Sequence, residues 1–155
     1  MTEPLAANPV LPPDAPGFFI LRHYLLDLSV ECPFGRIDAA HLPVLRMGHD
    51  LRMAALPLDA EQSIFRVDIF VRLSAAINDQ LVFIAELTYR VEVQLHMIAE
   101  ADAPEILVVG VPNAMQPVLR TIFEQNGDWA GYPDMRIGNL DFAKAYAEGQ
   151  KESIR

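Results

Sequence analysis

Residues 81–97, LVFIAELTYRVEVQLHM, form the longest run of alternating apolar and polar side chains in the sequence. Side chains on a β-strand alternate between the two faces of a sheet, so this run predicts one long strand with an apolar face and a largely polar face. The apolar face is predicted to carry Leu81, Phe83, Ala85, Leu87, Tyr89, Val91, Val93 and Leu95, and the other face Val82, Ile84, Glu86, Thr88, Arg90, Glu92, Gln94 and His96. An antiparallel sheet can leave one face to solvent or to a partner, which fits this pattern.

Three more strands are predicted before this one, at residues 18–32, 45–56 and 63–77. In the first strand, one face is predicted to carry Phe18, Ile20, Tyr24, Leu26, Leu28 and Val30, with Arg22 interrupting it. Pro33 ends that strand, and residues 34–44 are predicted to be a loop. Asn78 and Asp79 form a short turn, so the last two strands are predicted to pair as an antiparallel hairpin.

The periodicity becomes helical after residue 102. A helix is predicted from about residue 104 to residues 126–127, with Asp102 as its N-cap and Pro104 in its first turn. Pro112 and Pro117 lie inside this segment, and an internal proline removes a backbone hydrogen bond, so a bent or interrupted helix is expected. Residues 127–139 are predicted to connect it to a short last helix at about residues 140–150.

Composition indicates one domain and excludes some classes of function. The 155 residues are 52% hydrophobic, enough for a core without disulfides or metal. The net charge of -9 argues against a nucleic-acid partner, since such binding depends on neutralising phosphates. Cys32 is the single cysteine, which fits a reducing cytoplasm. Residues 1–17 are expected to be a flexible proline-rich leader without signal-peptide features, residues 18–150 one domain, and residues 151–155 a frayed tail. No apolar run approaches the roughly 20 residues of a membrane helix, so no direct membrane insertion is expected.

The sequence contains no specific catalytic or cofactor motif. The four histidines, His23, His41, His49 and His96, do not form a metal-binding spacing. Cys32 ends a predicted strand beside a proline, with no evident base nearby, which favours a structural thiol. Nucleotide-binding loops and nucleophile elbows are also absent. The sequence therefore predicts a protein that is not an enzyme and has neither a metal nor a cofactor.

Carboxylates on the predicted outer face of the sheet are the main candidates for a functional site. Asp27 and Glu31 lie on one face of the first strand, and Glu86 lies on the outer face of residues 81–97. They are either solvated surface charges or an acidic docking patch for a basic partner. A general acid–base pair has the least support, because no pocket is indicated near them.

Four segments, in matching order, resemble the SecB family of bacterial protein-export chaperones. Residues 22–33, RHYLLDLSVECP, are similar to the family's first-strand signature, and residues 83–87, FIAEL, to a strand with an acidic residue. Val111, Pro112 and Asn113, with Pro117 and Arg120, resemble its first-helix signature. The last segment, comprising Tyr132, Pro133, Met135, Ile137, Leu140, Asp141, Phe142 and Tyr146, resembles the connecting loop and second helix. The resemblance covers about residues 18–146.

The resemblance implies an α+β fold, in which a four-stranded antiparallel sheet carries two C-terminal helices packed on one face. It also implies a homotetramer, built as a dimer of dimers, that holds unfolded precursor proteins in the cytoplasm without ATP and delivers them to the SecA translocase motor. A patch at Asp27, Glu31, Ile84 and Glu86 would dock a basic segment of SecA. Apolar grooves would bind the client, and their candidate residues are Phe34, Trp129, Tyr132, Phe142 and Tyr146.

Some residues depart from the family pattern, and two alternatives to the export role stay open. Arg90 stands where the family usually has a small residue, and Asn139 where a proline is expected. The tail GQKESIR is short and carries Lys151 and Arg155, whereas family tails are often longer and acidic. One alternative is a SecB-like chaperone for a dedicated client such as a toxin–antitoxin pair. The other is an α+β domain that binds a small ligand.

Overall fold

The computed structural model describes residues 14–35, 45–132 and 135–153. These residues form an antiparallel four-stranded sheet followed by two helices, which confirms the predicted fold class. The elements are β1 (Gly17–Glu31), β2 (Arg46–Asp59), β3 (Ile64–Ile77), β4 (Gln80–His96), α1 (Ala103–Trp129) and α2 (Phe142–Ser153). The sheet order is β1-β4-β3-β2. Most of the expected leader, most of the loop at residues 34–44, and residues 154–155 lie outside the described residues.

The core lies between α1 and the apolar face of the two central strands. β4 pairs with β1 on one side and β3 on the other, and its apolar face is buried from Phe83 to Val93, as its periodicity predicted. Burial of each large apolar side chain contributes about 1.5–3 kcal/mol to folding. The buried positions on this face are Val67, Ile69, Val71, Leu73 and Ala75 of β3 and Phe83, Ala85, Leu87, Tyr89, Val91 and Val93 of β4.

The alternation predicted for the start of β4 was wrong. Ala75 pairs with Phe83, but Ala76 pairs with Leu81, so Val82 is an extra residue that bulges the strand. As a result Val82 is 2% exposed and Leu81 is 39% exposed, the reverse of the prediction. Beyond the bulge the alternation continues as predicted.

The predicted faces of β1 were also partly wrong, because the strand contains two irregularities. Its register with β4 shifts between Ile20 and Arg22 and again between Leu25 and Asp27. Tyr24 therefore pairs opposite Arg90 on the polar face, whereas it was predicted on the apolar face. The second shift restores the predicted phase, so Asp27 and Glu31 remain on the polar face.

Helix α1 continues through both internal prolines, so the expected interruption does not occur. A π-helical stretch, Ile106–Gly110, precedes Pro112 and widens the backbone where a regular helix would meet the proline ring. Asp102 is at the N-cap but makes no side-chain capping bond, and its carbonyl accepts the Ile106 N–H at 3.3 Å instead. The helix ends at Trp129, slightly later than predicted.

Two polar side chains fix the start of α2. The side-chain amide of Gln116 on α1 donates to the Leu140 carbonyl at 2.9 Å, and its oxygen accepts the Leu140 N–H at 3.1 Å. Asp141 accepts the Lys144 N–H at 2.9 Å and so caps the helix. The helix therefore begins at Phe142, and it extends to Ser153, into the segment expected to fray.

Among the described residues, α1 has the length and apolar composition of a membrane-spanning helix, contrary to the expectation from apolar runs. Such a property is weak support for a membrane span, because core helices of soluble proteins share it. One face of α1 packs on the sheet in the hydrophobic core, which is the arrangement of a core helix. The buried residues on this face recur every four positions and are Leu107, Val111, Met115, Leu119 and Phe123.

Candidate functional site

The four residues of the expected docking patch share the polar face of the sheet. Glu31 lies directly opposite Ile84, Glu86 lies opposite Ser29, and Asp27 lies opposite Thr88. They therefore occupy neighbouring rows of β1 and β4 at one end of the sheet. Asp27 and Glu31 are exposed, whereas Ile84 and Glu86 are partly buried. The arrangement is an acidic surface with an apolar contact between the carboxylates.

The carboxylates of this patch differ in how far their charges are balanced. Glu86 forms an ion pair with Arg72 of β3 at 3.4 Å. Asp27 and Glu31 form no ion pair with any residue that the structure describes. The unbalanced negative charge therefore lies on β1. Sequence reasoning missed Arg72 as a neighbour, because it lies 14 positions away and becomes adjacent only through the β3–β4 register.

The opposite end of the same face carries a lattice of ion pairs. Arg22 donates to Glu92 at 2.7 and 2.8 Å, and Arg90 donates to Asp68 at 2.8 and 2.9 Å. Arg66 lies 3.7 Å from the same Asp68. Hydrogen bonds from Arg90 lower the pKa of Asp68, and those from Arg22 lower the pKa of Glu92. Arg90, which departs from the family pattern, therefore ties β4 to β3.

Substitution of Arg90 by Met, which keeps an apolar stem, is expected to lower the Tm at pH 7 by about 2–4 °C. Because the pKa of Asp68 is lowered in the folded protein, its contribution to stability is present above its ordinary pKa. That contribution is lost as the pH falls through the lowered value. The Tm difference between Arg90→Met and the wild type should therefore shrink below about pH 4. Thermal unfolding followed by circular dichroism from pH 7 to pH 2.5 measures both effects.

The matched control for this experiment is Arg46→Met. Arg46 lies 3.8 Å from Asp79, and both side chains are almost fully exposed, so the pair should contribute little. A Tm difference for Arg90→Met that is equal to the control, or that does not change with pH, would contradict the assigned role of Arg90.

The five expected groove residues do not share one environment. Trp129 is 80% exposed and Phe34 is 56% exposed, whereas Tyr146 is partly buried. Tyr132 and Phe142 are each 0% exposed, so the expectation that they line an open groove was wrong for this chain. The Tyr132 ring packs edge-on against Phe83 with centroids 5.7 Å apart, which closes the connecting loop onto the sheet.

An open groove of about 1000 Å³ lies between β2 and α2. Tyr146 lines it, together with Val108 from the π-helical stretch of α1. The β2 side is lined by residues 47–53, and the α2 side by Asp141, Lys144, Ala145, Glu148 and Gly149. Sequence reasoning missed the β2 residues as a site. The sequence feature that could have indicated this site is the pair Met47 and Met53 in an alternating strand. Methionine side chains are flexible and adapt to apolar partners of different shape.

A match to a protein-family model identifies the family of this chain. Residues 12–153 match the family model described as preprotein translocase subunit SecB. The chain belongs to the SecB family. SecB proteins are protein-export chaperones, and the candidate patch and groove lie on opposite edges of this SecB sheet. Within the described residues, no group of three or more histidine, cysteine or carboxylate side chains could hold a metal ion.

Curated SecB relatives match nearly the whole chain. Protein-export protein SecB of Hyphomonas neptunium is 29% identical over 150 residues, covering 94% of this chain and 89% of the relative. Protein-export protein SecB of Neisseria meningitidis serogroup A is 30% identical over 142 residues, covering 88% of this chain and 92% of the relative.

A solved SecB-like structure has the same fold. It is a SecB-like chaperone from Mycobacterium tuberculosis in complex with a ChAD peptide from an antitoxin. The TM-score is 0.68 at 18% identity, and the match covers 80% of this chain and 91% of that chain. At 18% identity this likeness supports the fold of this chain only. The bound peptide is a feature of the Mycobacterium tuberculosis protein.

Proposed function

We propose that this protein is an ATP-independent cytosolic holdase, not an enzyme, that binds unfolded precursor proteins and delivers them to SecA. The observation that carries the proposal is the separation of the two candidate sites. The acidic patch occupies β1 and β4 on the polar face, whereas the groove follows β2 at the other edge of the sheet. A client in the groove would leave the patch free, so both partners can bind at once.

The acidic patch suits a basic segment of SecA. Asp27 and Glu31 supply negative charge without a described counter-ion, and Ile84 adds an apolar contact between them and Glu86. Complementary charge of this kind speeds association and selects the partner. Glu86 contributes less to the surface potential, since Arg72 lies beside it.

Exposed apolar side chains on β1 support assembly into a homotetramer. Leu21, Leu25, Leu26 and Val30 are each between 36% and 48% exposed on an edge strand. Several large exposed apolar side chains along one edge strand favour an interaction site. A dimer of dimers would cover this surface and leave β2 accessible to clients.

Light-scattering mass, measured with and without a reduced unfolded precursor, tests the proposal. The expected result is a mass of four chains that increases by one precursor and binds SecA in the same mixture. A tetramer that holds precursors without binding SecA would favour a dedicated client instead of export. A monomer that leaves aggregation of the precursor unchanged would overturn the proposal and favour the small-ligand alternative.

A further inference from the structure

Three arginines converge at the end of the polar face that lies away from the acidic patch. Arg22 of β1 and Arg66 of β3 lie on either side of Glu92 in β4. Arg90, two residues before Glu92 on the same strand, lies opposite Asp68 of β3. These five residues form the arginine cluster. Three guanidinium charges against two carboxylate charges leave a net +1, in a chain whose formal net charge is -9.

The remaining positive charge of the arginine cluster is accessible to a partner. Arg66 is held least firmly, since its Nε lies 3.7 Å from the carboxylate of Asp68, beyond hydrogen-bond distance. The side chain of Arg22 is ion-paired but still 64% exposed. Asp59, one row further along at the end of β2, accepts the Gln62 N–H at 3.1 Å in the turn that follows the strand. Its carboxylate is therefore already used to close that turn.

Aromatic and apolar side chains border the arginine cluster. Tyr24 is exposed, and its ring lies beneath the guanidinium of Arg22, whose central carbon is 5.6 Å from the ring centroid. Leu56 of β2 lies opposite Arg66 and is half exposed. Arginine and tyrosine are enriched at protein interfaces, and apolar neighbours exclude water from the ion pairs that form there. The surroundings of the arginine cluster are therefore those of a contact surface.

The acidic patch and the arginine cluster lie along the same two strands. In β4, Glu86 of the patch and Arg90 of the cluster are four residues apart, which corresponds to about 13 Å. On β1, Asp27 and Arg22 are separated by the same distance, because their partners on β4 are also four residues apart. One extended segment that carries a basic residue and, about four residues later, an acidic residue would reach both sites.

We propose that the arginine cluster binds acidic side chains of the same partner segment whose basic residues bind the acidic patch. The inference rests on the proposed docking function of the patch and adds what the partner must carry. An arginine fork matches a carboxylate through two parallel hydrogen bonds, so the contact is directional. A uniformly basic segment would meet like charge at the cluster. The two sites together therefore fix the direction in which the segment lies along the strands.

Three synthetic peptides, titrated into the full-length protein by calorimetry at low salt, test the proposal. They share one half, in which arginine alternates with serine, and carry glutamate, glutamine or arginine at the alternate positions of the other half. The glutamate peptide should bind at least about three-fold more tightly than the glutamine peptide, and the all-arginine peptide most weakly. Attraction by net charge alone gives the reverse order, because the protein is acidic. The reverse order, or equal affinities, would overturn the proposal.

A double variant locates the preference for glutamate. Arg22→Gln/Arg66→Gln should reduce the preference for the glutamate over the glutamine peptide to less than about 1.5-fold and leave the affinity for the glutamine peptide unchanged. Arg90 is retained because it ties β4 to β3. The matched control, Arg46→Gln/Arg136→Gln, removes the same charge at two exposed positions outside the cluster and should keep the preference. A preference that survives the first variant, or that both variants lose equally, would contradict the proposal.

Failure of this inference and failure of the acidic patch give different results. The variant Asp27→Asn/Glu31→Gln should weaken the binding of all three peptides, since they share the basic half. If it does so while the wild type shows no preference for glutamate, the patch stands and the arginine cluster takes no part in docking. If it weakens none of them, the patch and this inference both fail.

Discussion

Reversal of charge at Glu31 and Glu86 is expected to weaken SecA binding by about ten- to a hundred-fold, while the affinity for unfolded clients stays within about two-fold. Each ten-fold loss corresponds to about 1.4 kcal/mol. The double variant Glu31→Lys/Glu86→Lys replaces an acidic surface with a basic one at the patch and also places a lysine beside Arg72. A basic partner is then repelled, whereas the client groove on β2 keeps its residues. Titration calorimetry at two salt concentrations measures the effect, which should diminish at high salt.

A matched control separates docking from total charge. Glu61→Lys/Glu100→Lys makes the same change in net charge at two exposed positions outside the patch. It should alter SecA affinity by less than about three-fold, because long-range charge effects are screened at physiological salt. Equal losses in both double variants would sink the patch assignment. Equal loss of SecA and client binding in the patch variant would point to misfolding instead.

Substitution of Phe83 by alanine is expected to reduce the free energy of unfolding by about 3–5 kcal/mol. Phe83 is fully buried, and its ring packs against that of Tyr132. Its removal would leave a cavity between β4 and the connecting loop and would loosen the start of α2. Urea unfolding at fixed protein concentration measures the change, because assembly would make stability depend on concentration.

Trp129→Ala is the control for this measurement. Trp129 is the single tryptophan and is 80% exposed, so its removal should change the free energy of unfolding by less than about 0.5 kcal/mol. If Phe83→Ala lowers the free energy of unfolding by less than about 1 kcal/mol, the contact between Phe83 and Tyr132 does not stabilise the core.

Local periodicity was sufficient to determine the number of strands and the face of the sheet on which the carboxylates of the candidate patch lie. The alternation in residues 81–97 placed Glu86 on the polar face, and the end of β1 did the same for Asp27 and Glu31. This information is local, because the face of a side chain on a regular strand depends only on its position along the chain. The number and order of the strands and helices followed from the same pattern, and the family resemblance supplied the fold class.

The tertiary structure decided the features that depend on pairing between distant segments. The bulge at Val82 arises from register with β3, and the face of Tyr24 arises from the register shift against β4 between Ile20 and Arg22. Burial of Tyr132 and Phe142, the ion pair of Glu86 with Arg72, and the groove beside β2 all require elements far apart in sequence. A one-dimensional pattern records the preference of each residue for a face, but which groups meet across that face is determined only when strand register and helix packing are fixed.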